Sequence, residues 1–226
     1  MNQVDFFTKV VNLLNDSEID FWLCFGSVLA AVRNKGKFID HDKDLDIGIW
    51  DNDLPKLLDA LSILDEEKYT IKLQKGFHLC EDMIQLYCKE SDNKKFHVDF
   101  YIFRVFNNDA YCRNIHFPSS KIGKYYFTIM VIINKKISNI ILKKTILYPL
   151  KYFYEKIFYS YWFVFPKDFF INLSKVSFEN KIVKIPENAI DFLEYSYGSS
   201  WEKPNKNWNI FKAGYTKKRR LSSIKK

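Results

Sequence analysis

The stretch FWLCFGSVLAAVRNKGKFIDHDKDLDIGIW, residues 21–50, constrains the fold more than any other. Phe21 to Phe25 is an apolar run of strand length, and Gly26-Ser27 reads as a sharp turn after it. Ser27 to Asn34 then reads as the first turns of a helix, with Val28, Leu29, Ala31 and Val32 apolar. After Lys35-Gly36-Lys37, the segment His41-Asp42-Lys43-Asp44-Leu45-Asp46 runs straight into Ile47-Gly48-Ile49-Trp50. Alternation along a strand points residues i and i+2 to one side, so Asp42, Asp44 and Asp46 share a face where the strand begins. Carboxylates held that close repel, and burial makes the repulsion worse. A cation is the usual remedy, and hard oxygen donors suit Mg²⁺. Taken alone, the same cluster also reads as a solvated Asp-rich turn.

The flanking sequence supplies the rest of a mixed domain. Apolar residues from Val4 to Leu14 recur at helical spacing over residues 3–15. Asp53 stands where an N-cap belongs, with Pro55 in the first turn of a helix running to about Leu64. Tyr69, Ile71 and Leu73 alternate with polar partners, Gly76 breaks the run, and the segments 83–88 and 96–103 have strong β character. Val176-Ser177-Phe178 and Lys181 to Pro186 flank Glu179-Asn180 as a hairpin, with Asn180 suited to positive φ. Glu187 to Tyr197 reads as a helix ended by Gly198. The order predicts an α+β (α/β-like) fold with a mixed β-sheet and flanking helices.

A further carboxylate gives the Asp-rich segment its meaning. Asp99 lies inside His97-Val98-Asp99-Phe100, where Val98 and Phe100 point one way and Asp99 the other. Burying a carboxylate without a partner is costly, so Asp99 either faces solvent from a one-sided sheet or joins the upstream carboxylates. In the second case, a Gly-Ser turn opening a helix offers N–H groups to a phosphate. Two carboxylates spaced by one residue hold a metal, and the third completes the ligand set or accepts a proton.

These pieces together resemble the LicD/fukutin family of phosphotransferases, which has a nucleotidyltransferase-like fold. The resemblance rests on Phe25 to Arg33, on Phe38 to Gly48, and on His97 to Tyr101. A fourth block comprises Phe178-Glu179, Val183 to Pro186, and Tyr197 to Pro204. Ser27 stands where the family has Thr, keeping the hydroxyl, and Ala30 stands where it has Gly, narrowing the turn. The resemblance implies transfer of a phospho-alcohol, such as phosphocholine or ribitol phosphate, from a CDP-activated donor to a glycan or lipid-linked glycan, with Mg²⁺ or Mn²⁺. It implies Asp44 and Asp46 as metal ligands and Asp99 as third ligand or general base. Asp42 stands behind them, and Gly26 and Ser27 contact donor phosphate. Arg33 either clamps phosphate with its fork or closes its helix at the surface. His41 and His97 either donate to phosphate or are structural. Tyr197, Trp201 and Pro204 build a pocket wall or pack the C-terminal element, and an aromatic platform there would attract a choline cation.

Composition bounds the alternatives. The formal net charge is +8, but residues 217–226 carry six of the 35 basic residues and no acid, and the remaining 29 face 27 acids. The excess is thus mostly a tail, and residues 213–226 read as basic and flexible. Residues 121–166 form a connector rich in Lys, Ile, Phe and Tyr, helical apart from Pro149, which either packs on the core or lies against a membrane. That divides the chain into a catalytic core (1–120), the connector (121–166), a C-terminal element packing on the core (167–212) and the tail. Cys24, Cys80, Cys88 and Cys112 sit in apolar surroundings without a CxxC pair, as reduced buried thiols do. No leader reads from residues 1–10, and a cytoplasmic location with peripheral membrane contact is the expectation. Two other readings compete: another nucleotidyltransferase acting on a small molecule or protein, and a nucleic-acid-binding protein using the basic tail. The C-terminal aromatic block argues against the first, and solvation alone explains the charges invoked for the second.

Overall fold

The computed structural model describes residues 1–40, 42–75, 81–89, 96–115, 120–137, 139–205 and 207–220. Helix α1 (Gln3–Asp16) begins at Asn2, whose side chain accepts from the Asp5 amide, and buries Phe6, Phe7, Val10, Val11 and Leu14 along one face. Strand β1 (Phe21–Leu23) is shorter than its apolar run, because helix α2 (Phe25–Arg33) already starts at Phe25. The positive φ needed for that sharp change of direction falls on Phe25, at 45°, and not on Gly26. Gly26 and Ser27 therefore lie inside the first helical turn, where a separate turn was predicted.

Strand β2 (Asp44–Trp50) follows, then helix α3 (Leu54–Ser62). Asp53 precedes α3 but does not cap it. Its carboxylate instead accepts from the Asp20 amide and pairs with Lys56. Strands β3 (Tyr69–Lys75), β4 (Glu81–Cys88), β5 (His97–Phe106) and β6 (Asp109–Ile115) come next. Gly76 lies outside the described residues.

The sheet is organised on β5. Over its first half β5 pairs in parallel with β2 on one side and antiparallel with β4 on the other, and β1 and β3 extend the two flanks. Its last residues, Arg104–Phe106, pair with β6 instead. Both faces of β2 and β5 are covered, which explains their near-continuous apolar sequence. Gly48 has a specific reason: Trp22 is its register partner on β1, and a Cβ at Gly48 would come within 2.5 Å of the Trp22 indole. On that face the sheet passes from Asp44, Asp46 and Asp99 to Gly48, Trp50, Tyr101 and Phe103, so carboxylates give way to an aromatic core around Trp22.

The connector is more than helical. Helices α4 (Lys121–Lys136) and α5 (Ile140–Ile157, running through Pro149) form a hairpin, but residues 159–166 are strand β7 (Tyr159–Pro166). Strand β7 pairs with β6, so this end of the segment belongs to the main sheet. A short helix α6 (Asp168–Ile171) leads to the hairpin of β8 (Leu173–Phe178) and β9 (Lys181–Pro186). Its two turn residues, Glu179 and Asn180, both take positive φ, as a two-residue hairpin turn requires. Helix α7 (Ala189–Tyr197) ends at Gly198, φ 86°. The flexible tail predicted from 213 is corrected over its first part: strand β10 (Thr216–Arg220) pairs antiparallel with β7 and finishes the sheet. Backbone pairing on an edge needs no apolar side chains, so its charge pattern gave no sign of it. Cys24, Cys88 and Cys112 are buried and outside any disulfide, as expected, and Cys80 lies outside the described residues.

Candidate active site

Parallel register brings the acidic residues together. Asp44 lies opposite His97 and Asp46 opposite Asp99 across β2 and β5, and all four side chains leave the same face of the sheet. Asp46 and Asp99 are buried. Ligand atoms of Asp44, His97 and Asp99 lie within 4.8 Å of one another, a grouping able to hold a metal ion. His97, read from sequence as a phosphate donor or a structural residue, therefore stands among the donors. Its Nε2 is 3.2 Å from Asp99 Oδ1, and its ring stacks on Tyr87.

Asp46 is fixed by the start of α2. The Gly26 amide donates to Asp46 Oδ2 at 3.0 Å, and the Asp46 amide donates to Ser27 Oγ at 2.8 Å. The Cys24 amide donates to the Asp46 carbonyl at 3.1 Å. Gly26 and Ser27, assigned to donor phosphate from sequence, thus hold Asp46. A Cβ on Gly26 would stand 3.2 Å from Asp46 Oδ2 and 3.4 Å from Asp42 Oδ2.

Two residues to which the sequence reading gave no role at the site complete the support. Gln85 is the register partner of Asp99 on β4, and its Nε2 donates to Asp99 Oδ1 at 2.9 Å. A lone amide within Met83-Ile84-Gln85-Leu86 was the available signal. Glu179, in the β8–β9 turn, accepts from the Phe38 amide at 2.9 Å and from Lys37 Nζ at 3.1 Å. The Glu179 amide also donates to the Gly36 carbonyl. These bonds tether the loop that delivers Asp42. No local sequence pattern links positions 141 apart.

The electrostatics follow from crowding. Burial raises the Asp46 carboxyl well above the usual range, with Asp44, Asp99 and Asp42 adding to the shift and the Gly26 amide opposing it. Asp42 is pushed up to about 7, first by burial, then by its hydrogen bond with Asp44 and that residue's charge. The Lys43 amide and Arg33 act against the rise. Burial, with help from Asp46 and Asp99, also raises the Cys24 thiol, which makes it a poor nucleophile.

Beside the carboxylates opens a cavity of about 570 Å³. It is lined by Gly26, Arg33 and Asp42 from the first part of the chain and by Tyr197, Trp201, Lys203 and Trp208 from the last. Tyr197 packs against Trp208 with ring centres 5.3 Å apart. Burial raises its phenol well above the ordinary value, with Tyr215 and Asp46 contributing. Asp42, Arg33, Tyr197, Trp201 and Pro204 thus meet at one cavity, while Lys203 and Trp208 are additions from the structure. His41 lies outside the described residues.

Asp44, His97 and Asp99 form a donor set that can hold a metal ion, and Asp46, expected among the ligands, lies outside that grouping. Oxygen predominates, one imidazole is present, and the grouped carboxylates have a need for positive charge.

A family described as LicD/FKTN/FKRP, nucleotidyltransferase domain, matches residues 18–131. That span includes Asp42, Asp44, Asp46, His97 and Asp99, and ends within α4. Among curated proteins, the uncharacterized protein RP689 of Rickettsia prowazekii is 31% identical over 85 residues, 37% of this chain and 32% of its own length. The uncharacterized protein RT0683 of Rickettsia typhi is 31% identical over 111 residues, 48% of this chain and 35% of its own. The chain spans about a third of the length of these relatives.

Proposed function

The chain belongs to the LicD/FKTN/FKRP family, a group of phospho-alcohol transferases, and from that premise we propose its reaction. It moves a phospho-alcohol such as phosphocholine or ribitol phosphate from a CDP-activated donor to a sugar hydroxyl of a glycan or lipid-linked glycan, releasing CMP. The observation that carries this reading is that Asp42, which lines the cavity together with Arg33 and the C-terminal aromatics, is hydrogen-bonded with Asp44 of the Asp44, His97, Asp99 grouping.

The acceptor oxygen attacks the phosphorus that bears the alcohol, and the bond to CMP breaks. Little covalent chemistry is asked of the protein, so positioning and charge neutralisation dominate. Asp44, Asp46, Asp99 and His97 would hold Mg²⁺ or Mn²⁺, which supplies positive charge to the diphosphate. Gly26 and Ser27 keep Asp46 in place. Arg33 offers a fork that matches phosphate oxygens, and Lys203 adds a point charge to the same cavity. Asp99 completes the donor set or takes the acceptor's proton, and Gln85 fixes its orientation. The cavity falls within the volume range of small-ligand sites, ~300–1,000 Å³. Tyr197, Trp201 and Trp208 offer ring faces to a base, a sugar or a choline cation.

The test is CMP release from a panel of CDP-linked alcohols, with and without Mg²⁺ or Mn²⁺. Metal-dependent release with one of them supports the reading. No binding or turnover with any of them, together with transfer from a nucleoside triphosphate, would assign the site to another nucleotidyltransferase reaction.

A further inference from the structure

The α4–α5 hairpin has a small core of its own. Met130 and Tyr154 are buried there, among Tyr126, Phe127, Leu147 and Leu150, and Trp162 of β7 is where this cluster reaches the sheet. Among its described residues the hairpin leaves several large apolar side chains exposed. Ile122, Tyr125, Ile129 and Ile132 recur at the spacing of one helical face and are between 47% and 77% exposed. On α5, Tyr148 and Phe153 are 73% and 62% exposed. Residues 121–157 also hold eight lysines and a single acid, Glu155. Strand β10 adds exposed cations beside the end of α5: Lys218 and Arg219, with Lys218 Nζ 5.4 Å from the centre of the Tyr159 ring.

We propose that this hairpin docks on the surface of an anionic lipid bilayer. Aliphatic and aromatic side chains exposed among lysines suit the boundary between headgroups and acyl chains, where the cations meet lipid phosphates. Among the described residues no helix is long and apolar enough to cross a membrane, so the hairpin lies on the surface. Charge argues against a second copy as occupant, because a two-fold interface would set lysines against lysines with one acid per hairpin to answer them. Nucleic acid would use the lysines and rings but leaves Ile122, Ile129 and Ile132 without a partner. The proposal stands whatever the carboxylate site does.

Flotation of the full chain with vesicles tests it. Vesicles of phosphatidylcholine with about 30% phosphatidylglycerol should carry the protein, neutral vesicles far less, and salt should weaken the binding. Ile129→Asn combined with Phe153→Asn should weaken binding by roughly tenfold or more, and Lys121→Glu combined with Lys218→Glu by about tenfold. All four positions are exposed, so circular dichroism should stay unchanged. Failure of the wild-type chain to float with anionic vesicles overturns the proposal, as does binding that neither pair weakens. A dimer that the Ile129→Asn, Phe153→Asn pair dissociates, without vesicle binding, would make the face a self-association surface.

Discussion

Gly26 donates its amide to Asp46 Oδ2, and a side chain at Gly26 would crowd Asp46 and Asp42. Alanine at that position should therefore separate stability from activity. Within a helix it gains about 0.5–1 kcal/mol over glycine, while its methyl group displaces carboxylate oxygens by a few tenths of an ångström. Gly26→Ala should keep or raise the melting temperature and lower turnover about tenfold or more. Equal turnover in the two proteins would show that Asp46 tolerates the shift.

Asp46 carries a stability cost of its own. Burial and three neighbouring carboxylates disfavour its charge, so removing that charge relieves strain while removing an oxygen donor that we propose as a metal ligand. Asp46→Asn should abolish metal-dependent CMP release and leave the far-ultraviolet dichroism intact, with a melting temperature no lower than wild type. Full retained activity would exclude Asp46 from the metal site.

Glu179 holds the loop before the carboxylates from a turn far along the chain. Its side chain is mostly buried, and Glu179→Ala leaves the Phe38 amide without its acceptor. The expected loss is about 1–3 kcal/mol in chemical denaturation. Reduced turnover should accompany it, because the same loop delivers Asp42. A change confined to stability would separate the clamp from the site.

Asp42 sets a pH dependence. Its carboxyl is raised to about 7 in the folded chain, so the unfolded chain releases this proton first as pH rises. Stability is therefore lost progressively between about pH 4 and about pH 7 and is flat beyond. In chelator, the melting temperature of the wild-type protein should fall across that window more steeply than that of Asp42→Asn. Added Mg²⁺ should flatten the wild-type curve, because a cation favours the charged carboxylate. Parallel curves for the two proteins would remove Asp42 from the acidic group.

The parts legible in the sequence are those where local pattern and tertiary role agree. Helix α1 shows its buried face in its spacing, and Glu179-Asn180 shows its turn between two alternating runs. Asp44, Asp46 and Asp99 were legible because each breaks an otherwise apolar strand. What stayed hidden depends on partners distant in the chain. Tyr159 to Pro166 continues the aromatic run at the end of the helix before it, and pairing with β6 and β10 makes it a strand. Thr216 to Arg220 has no apolar residue, so its pairing with β7 has no side-chain signature. The positive φ falls on Phe25, where the aromatic core beside Tyr101, Phe163 and Tyr215 fixes the ring. A residue-by-residue preference assigns that conformation to Gly26.

Ile115 and Tyr161 are register partners, so the chain leaves β6 and re-enters β7 at nearly the same place. Everything between is a detour that the sheet does not need in order to close. Replacing residues 116–158 with a tight turn would leave β6 and β7 as an ordinary antiparallel pair. The helical hairpin is thus a removable cassette: an excised variant should keep its chemistry in solution, and the segment itself is suited to transplantation onto another strand pair of matching register.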